Sequence, residues 1–240
     1  MRFPNVHGVI RRRLLVNYRV DPAVVQRQLP SPFRPKLHDG YAIAGICLIR
    51  LEQIRPKRVP RAFGLSSENA AHRIAVVWDD QGAAREGVFI PRRDTGSLIN
   101  HLGGGRIFPG EHHRAHFDVS DVDGRIELHM RSADGLVQLS VAGRVASKLP
   151  TASVFRTIGE ASAFFEPGAV GYSATSRGDR LDGIRLETHS WSVEPLAVES
   201  ARSSYFDDQY AYPSGAVTFD CALLMRNIGH EWHAAGDMYI

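Results

Sequence analysis

The sequence predicts a mainly β fold, a β-rich α+β barrel or sandwich with a few short helices packed outside it. Three observations predict it: short apolar or alternating segments recur at close intervals, Asp-Gly pairs punctuate them, and helical spacing is confined to brief stretches. At 240 residues the chain is long enough to bury a substantial core. No repeat, low-complexity tract or composition break marks a linker, so one domain spanning 1–240 is expected.

The elements follow in order. Asp21-Pro22 offers a side-chain cap and a proline at the first helical position, and Pro30 stops the helix that follows after about two turns. Residues 41–51 (YAIAGICLIRL) are apolar at nearly every position, which suits a strand covered on both faces. The prolines and basic residues of 55–61 read as a loop, and strands are expected at 72–78, 87–90, 115–119, 125–131 and 136–145. The clearest is 125–131, where Ile126, Leu128 and Met130 alternate with Arg125, Glu127, His129 and Arg131. Asp123-Gly124 and Asp134-Gly135 supply the turns at its ends, so 124–145 reads as an antiparallel meander. Helical spacing returns at 158–165 and around 97–102, where Gly103-Gly104-Gly105 ends it. Strands at 185–193 and 216–225 complete the reading.

Composition excludes several classes. Basic residues number 29 against 26 acidic ones, interspersed, so the formal charge of +3 gives no basic stripe for nucleic acid. No apolar run approaches the ~20 residues of a membrane helix, and the first twenty residues lack the pattern of a secretory leader. Cys47 and Cys221 sit in apolar runs and read as free buried thiols of a cytoplasmic protein. Lysines are only three, Lys36, Lys57 and Lys148, all in segments expected to be exposed. The many arginines cannot form imines but clamp carboxylates through paired hydrogen bonds.

The polar groups of an expected pocket concentrate in 87–117. Gly103-Gly104-Gly105 lacks the flanking spacing of a dinucleotide or phosphate loop, and no Gly-x-Ser-x-Gly elbow occurs. Glu111-His112-His113-Arg114-Ala115-His116 could be a metal site, a hydrogen-bonding pocket cluster or a solvated strand entry. In a strand His112 and His116 lie ~13 Å apart, too far to share an ion, so no metal and no other cofactor is expected. Arg92-Arg93 end a strand, where neighbours point to opposite sides, which offers one of them to the interior. Asp94 is a ready partner for either. Glu68-Asn69 is either a second inward-facing polar pair or a solvated one.

These residues resemble a family. Leu29-Pro30 after a short helix, Asp39-Gly40-Tyr41-Ala42 opening an apolar strand, Glu68-Asn69, the run from Gly87 through Pro91-Arg92-Arg93-Asp94-Thr95, and Phe108-Pro109-Gly110-Glu111-His112-His113 look like domain of unknown function 2071, a bacterial family that belongs with acetoacetate decarboxylase-like proteins. The resemblance spans roughly 11–225 and implies a cone-shaped antiparallel β-barrel with peripheral helices and a central cavity. In acetoacetate decarboxylase the matching corner looks like Phe-Pro-Lys-Lys, and the first lysine forms a Schiff base. Here Gly110-Glu111 stand in place of those lysines, so the resemblance implies the barrel and its cavity without the imine-forming amine. It also implies that Glu68 takes the position of a pocket glutamate, and it admits a homo-oligomer.

The functional expectation is a small-molecule pocket for an anionic or carbonyl-bearing metabolite. Glu68, Glu111 and His113 are the candidate catalytic acids and bases, with Arg92, Arg93 and His112 binding the ligand. The rival is a non-catalytic binding or sensory protein using the same cavity.

Overall fold

The computed structural model describes residues 5–103, 109–175 and 178–240. In chain order the strands are β1 (Val6–Val20), β2 (Arg34–Pro35), β3 (Leu37–His38), β4 (Tyr41–Pro56), β5 (Leu65–Asp80), β6 (Ala83–Thr95), β7 (His112–Val122), β8 (Arg125–Ser132), β9 (Gln138–Val145), β10 (Val170–Ala174), β11 (Arg180–Thr188), β12 (Glu194–Ser203), β13 (Val217–Ala234) and β14 (Met238–Tyr239). The helices are α1 (Pro22–Gln26), α2 (Leu98–Gly103) and α3 (Ile158–Phe165).

The strands form one 14-stranded sheet that closes on itself twice. The larger circuit runs β6-β7-β8-β9-β12-β13-β1-β4-β5 and back to β6. The smaller runs β6-β10-β11-β13-β1-β4-β5. Two forks make this possible. Along β13, Ala222 to Leu224 pair with β12, whereas His230 to Ala234 pair with β11. Along β6, Val88 to Ile90 pair with β10 and Arg93 to Thr95 with β7, and these two pairings are parallel while the rest are antiparallel.

Strand alternation divides the core accordingly, because successive side chains leave opposite faces. One face of the shared strands sends Leu14, Val16, Ile46 and Leu48 into a cluster with Ile126, Leu128, Leu139 and Val141, all buried. The other face sends Leu15, Cys47 and Ile49 toward Phe155, Phe164 and Phe165, the last two carried by α3. Each fully buried side chain of this size contributes roughly 1.5–3 kcal/mol relative to exposure. Thr157 caps α3 by accepting from the Glu160 amide, and Asp21 caps α1 through the Ala23 amide.

The meander is present as β7-β8-β9 with Asp123-Gly124 turning at positive φ, and α3 has the expected bounds. Most strands are longer than the sequence suggested. The expected 55–61 loop begins inside β4, and Glu68-Asn69 lie within β5 rather than before it. The segment expected as a strand at 185–193 starts earlier and stops at Thr188. β1, β10, β12 and the two-residue strands β2, β3 and β14 had no counterpart in the reading. Gly104, Gly105 and Phe108, named in two of the motifs, lie outside the described residues. Among the described residues no helix is long and apolar enough to cross a membrane.

Candidate functional site

The smaller circuit encloses a cavity of about 130 Å³ to which each of its strands contributes. That is room for on the order of ten waters, or one small metabolite. Its wall is mostly aliphatic, with Ile49, Leu51, Val88, Ile90, Ile184 and Leu186 among the lining, and its polar groups come from a few register positions.

Arg93 and His112 are direct register partners across the parallel β6-β7 pairing, so their side chains rise together from one face. Both line the cavity. Arg93 Nε donates to Ser173 Oγ at 2.9 Å, while its Nη2 is covered and without a hydrogen-bond partner among the described residues. Burial pulls this guanidinium down to about 10, an effect that Cys47 and Asp182 oppose. It therefore stays charged at neutral pH. His112 Nδ1 lies 3.1 Å from the Gly110 carbonyl oxygen, and burial followed by the Arg93 charge pulls its imidazole down to about 3. The ring is neutral at pH 7.

Residues 67–73 alternate, so Ser67, Asn69, Ala71 and Arg73 face the cavity. Arg73 is 5% exposed, donates through Nη2 to Asn17 Oδ1 and lies 5.0 Å over the Phe165 ring. Its Nε has no partner among the described residues, and burial pulls the group down to about 10. From β1, Arg13 donates through Nε to Cys47 Sγ at 3.3 Å. At the other end Thr95 donates to Asn69 Oδ1 at 2.7 Å and Asn69 to Ser67 Oγ at 2.9 Å, with Asn100 of α2 beside them. Trp232 of β13 completes the wall, and its Nε1 is also without a partner among the described residues. All three orphaned atoms of this lining, on Arg73, Arg93 and Trp232, are donors.

The remaining expected site residues lie elsewhere. Arg92 points to the opposite side from Arg93, chelating Asp94 and reaching Asp134 at 2.8 Å. His113 joins that network, 3.3 Å from Asp134. Glu111 is exposed. Glu68 accepts from Arg12 at 2.7 Å on the face of β5 away from the cavity, and burial, opposed by Arg12, raises its carboxyl above the ordinary value. Asp94 borders the cavity fully buried, and burial raises it too, against the pull of Arg92. Sequence reasoning missed Arg13, Arg73, Ser67 and Asn100. The signal for Arg73 and Ser67 was their shared phase with Asn69; for Arg13 it was a basic residue inside the apolar run of 10–20.

Among the described residues no group of three or more His, Cys, Asp or Glu side chains is placed to hold a metal ion. No lysine lines the cavity among them. Lys57 is 59% exposed and Lys148 is exposed, as expected, but Lys36 is not: 19% exposed, it pairs with Glu86, donates to the Phe164 carbonyl and sits 4.4 Å over the Phe164 ring. It lines a small hollow adjoining the cavity, with Arg13 and Arg73 shared between the two.

A family model described as an uncharacterized conserved protein, DUF2071, matches residues 9–218. The chain belongs to the DUF2071 family. No curated protein matches this DUF2071 chain. Its fold is that of acetoacetate decarboxylase-like structures. Acetoacetate decarboxylase from Legionella pneumophila superposes with a TM-score of 0.61 at 11% identity, covering 97% of this chain and 87% of that one. An acetoacetate decarboxylase-like enzyme from Sphingomonas wittichii gives 0.58 at 14%, with 99% and 94% covered. The enduracididine biosynthesis enzyme MppR, complexed with the condensation product of pyruvate and imidazole 4-carboxaldehyde, gives 0.59 at 14%, with 100% and 90% covered. At these identities the likeness establishes the fold of the DUF2071 chain and nothing about its chemistry.

Proposed function

We propose that this protein binds a small carboxylate-bearing metabolite of the oxo-acid class in the cavity of the smaller strand circuit, without imine chemistry. One observation carries the reading. Arg73, Arg93 and Trp232 line the cavity and each carries a covered donor without a partner, two of them on guanidiniums to which no carboxylate is bonded among the described residues. A buried cation without an anionic partner is costly, and a bound carboxylate supplies that partner. The aliphatic remainder of the wall suits a short carbon skeleton, and neutral His112 and the Asn69 amide suit a carbonyl oxygen. MppR has been solved with pyruvate, a molecule of this class in a related fold. The free thiols Cys47 and Cys221 fit a reducing, cytoplasmic setting.

The second reading, a general acid/base enzyme, draws on His112, an imidazole of this wall that can exchange a proton with a bound oxo acid. Calorimetric titration with pyruvate and acetoacetate, beside the methyl ester of pyruvate, tests the proposal. The acids are expected to bind and the ester to bind at least about tenfold more weakly, one charge-assisted contact being worth about 1.5–3 kcal/mol. Equal binding of acid and ester would remove the basis for the reading. Product analysis of the same mixtures separates enzyme from binder.

A further inference from the structure

Cys47 stands at the centre of the cavity's arginines. The register across the shared strands places Leu15, Cys47, Ala71 and Arg93 in one row. Arg13 lies two residues from Leu15 on the same face and Arg73 two residues from Ala71. Arg13 Nε donates to the sulfur, and Arg73 and Arg93 line the same cavity wall as Cys47. In the register Ala71, whose side chain is a single methyl group, stands between Cys47 and Arg93, with the two backbones about 9–10 Å apart at two strand spacings. That leaves a gap in which a small acid can touch guanidinium and sulfur together. Cys221 differs from it: it is wholly buried, is absent from the cavity wall, and burial with Asp220 beside it pushes its thiol up to about 12.

We infer that Cys47 is a nucleophilic site, placed to form a thioether with a small α,β-unsaturated carboxylate held by Arg13, Arg73 and Arg93. The attacking form is the thiolate, and neighbouring arginines are a setting in which cysteines react. Sulfur bonds to the β-carbon, the π pair moves onto the α-carbon and carboxylate, and the proton given up by sulfur returns to the α-carbon through water. The net change is addition of S–H across C=C, with no oxidant or reductant. The guanidiniums hold the acid in place and neutralise the extra negative charge that develops on its carboxylate. The inference rests on the anion-binding reading of the cavity above.

The test uses acrylate and its neutral isostere acrylamide on the intact chain, followed by peptide mass spectrometry. Free thiols such as glutathione, run in parallel, set the intrinsic preference, which favours the neutral amide. In this protein Cys47 is expected to reverse it, taking acrylate faster, while Cys221 stays unlabelled. Arg73→Gln and Arg93→Gln are each expected to slow acrylate labelling on the order of tenfold. Acrylamide labelling, which needs the thiolate but no carboxylate contact, is the reference: a fall in the acrylate-to-acrylamide ratio reports loss of the carboxylate contact, and continued acrylamide labelling shows that each variant is folded and its cavity open. Preference for acrylamide, insensitivity of acrylate labelling to both arginine changes, or no labelling of Cys47 by either reagent would overturn the inference. Pyruvate titration of Cys47→Ser separates the two failures: retained binding without labelling sinks only the nucleophile, whereas absence of binding in both wild type and variant sinks the pocket reading as well.

Discussion

Gly110 and Ser173 touch so closely that a β-carbon added to Gly110 would lie 2.5 Å from that of Ser173. Gly110 also has φ +77 and donates its amide to Asp182 Oδ2 at 3.0 Å. The position that follows Phe-Pro in this chain is therefore built for a residue without a side chain, and replacing it by lysine would not rebuild an imine site.

Gly110→Ala is expected to destabilise the fold by more than about 1 kcal/mol, since the left-handed backbone and the Ser173 contact both oppose a β-carbon. Urea denaturation measures it. Adding Ser173→Gly should recover part of the loss; unchanged stability in Gly110→Ala would mean that the corner is pliable and open to a longer side chain.

Much of the fold was legible because alternation and capping are local. Ile126, Leu128 and Met130 announced β8, helical spacing announced α3, and Asp21-Pro22 announced the start of α1. β1 was not legible, because Arg11 to Arg13 and Asn17 interrupt its apolar run, and two of these, Arg13 and Asn17, face the cavity side that the sequence could not reveal. The site suffered from the same blindness to phase. Arg92 and Arg93 look equivalent in sequence, as do Glu68 and Asn69, yet strand alternation sends one of each pair to the cavity. When both faces of a strand are covered, hydrophobicity alone does not say which face holds the ligand.

Glu68 illustrates the difference. Its carboxylate neutralises Arg12, 4% exposed, with Asp121 at 3.9 Å as a more distant second partner. Glu68→Ala is expected to cost up to about 3 kcal/mol, because the guanidinium is left nearly buried without its close partner. Pyruvate affinity, measured in the gentler Glu68→Gln, should be unchanged. A selective loss of affinity with stability intact would return Glu68 to the site.

Three imidazoles, those of His72 and His230 buried and that of His112 half-buried, tie stability to pH. Burial pulls His72 and His112 down to about 3 and His230 to about 4, from 6.5. Below pH 6.5 the unfolded chain therefore binds more protons than the folded one, so stability falls with falling pH until the folded values are reached. Glu68 and Asp94, raised in the fold, act oppositely, losing stability as pH rises above the ordinary carboxylate range. Tm is expected to drop between pH 6.5 and pH 4. His72→Phe should flatten that slope, as the ring is wholly buried against Tyr205 and neither nitrogen has a partner among the described residues. An unchanged slope would place the titration elsewhere.

Lys36 decides whether an amine could act here after all. It lies at the edge of the hollow that adjoins the cavity, but its ammonium is held by Glu86 and by the Phe164 carbonyl. A nitrogen whose protons are engaged by a carboxylate and a carbonyl has no lone pair to offer, and only the free amine adds to a carbonyl. Borohydride reduction in the presence of acetoacetate is therefore expected to leave the protein mass unchanged, and decarboxylation to stay undetectable. Glu86→Gln supplies the sharper arm, because it removes the partner without closing the hollow. If an adduct appears on Lys36 in the wild type and is lost in Lys36→Arg, imine chemistry has moved from the Phe-Pro corner to the segment that leads into β3. If it appears only in Glu86→Gln, the hollow admits the substrate and Glu86 is what keeps the amine silent. If it appears in neither, Arg13, Arg73 and Arg93 remain as the cations that meet the ligand.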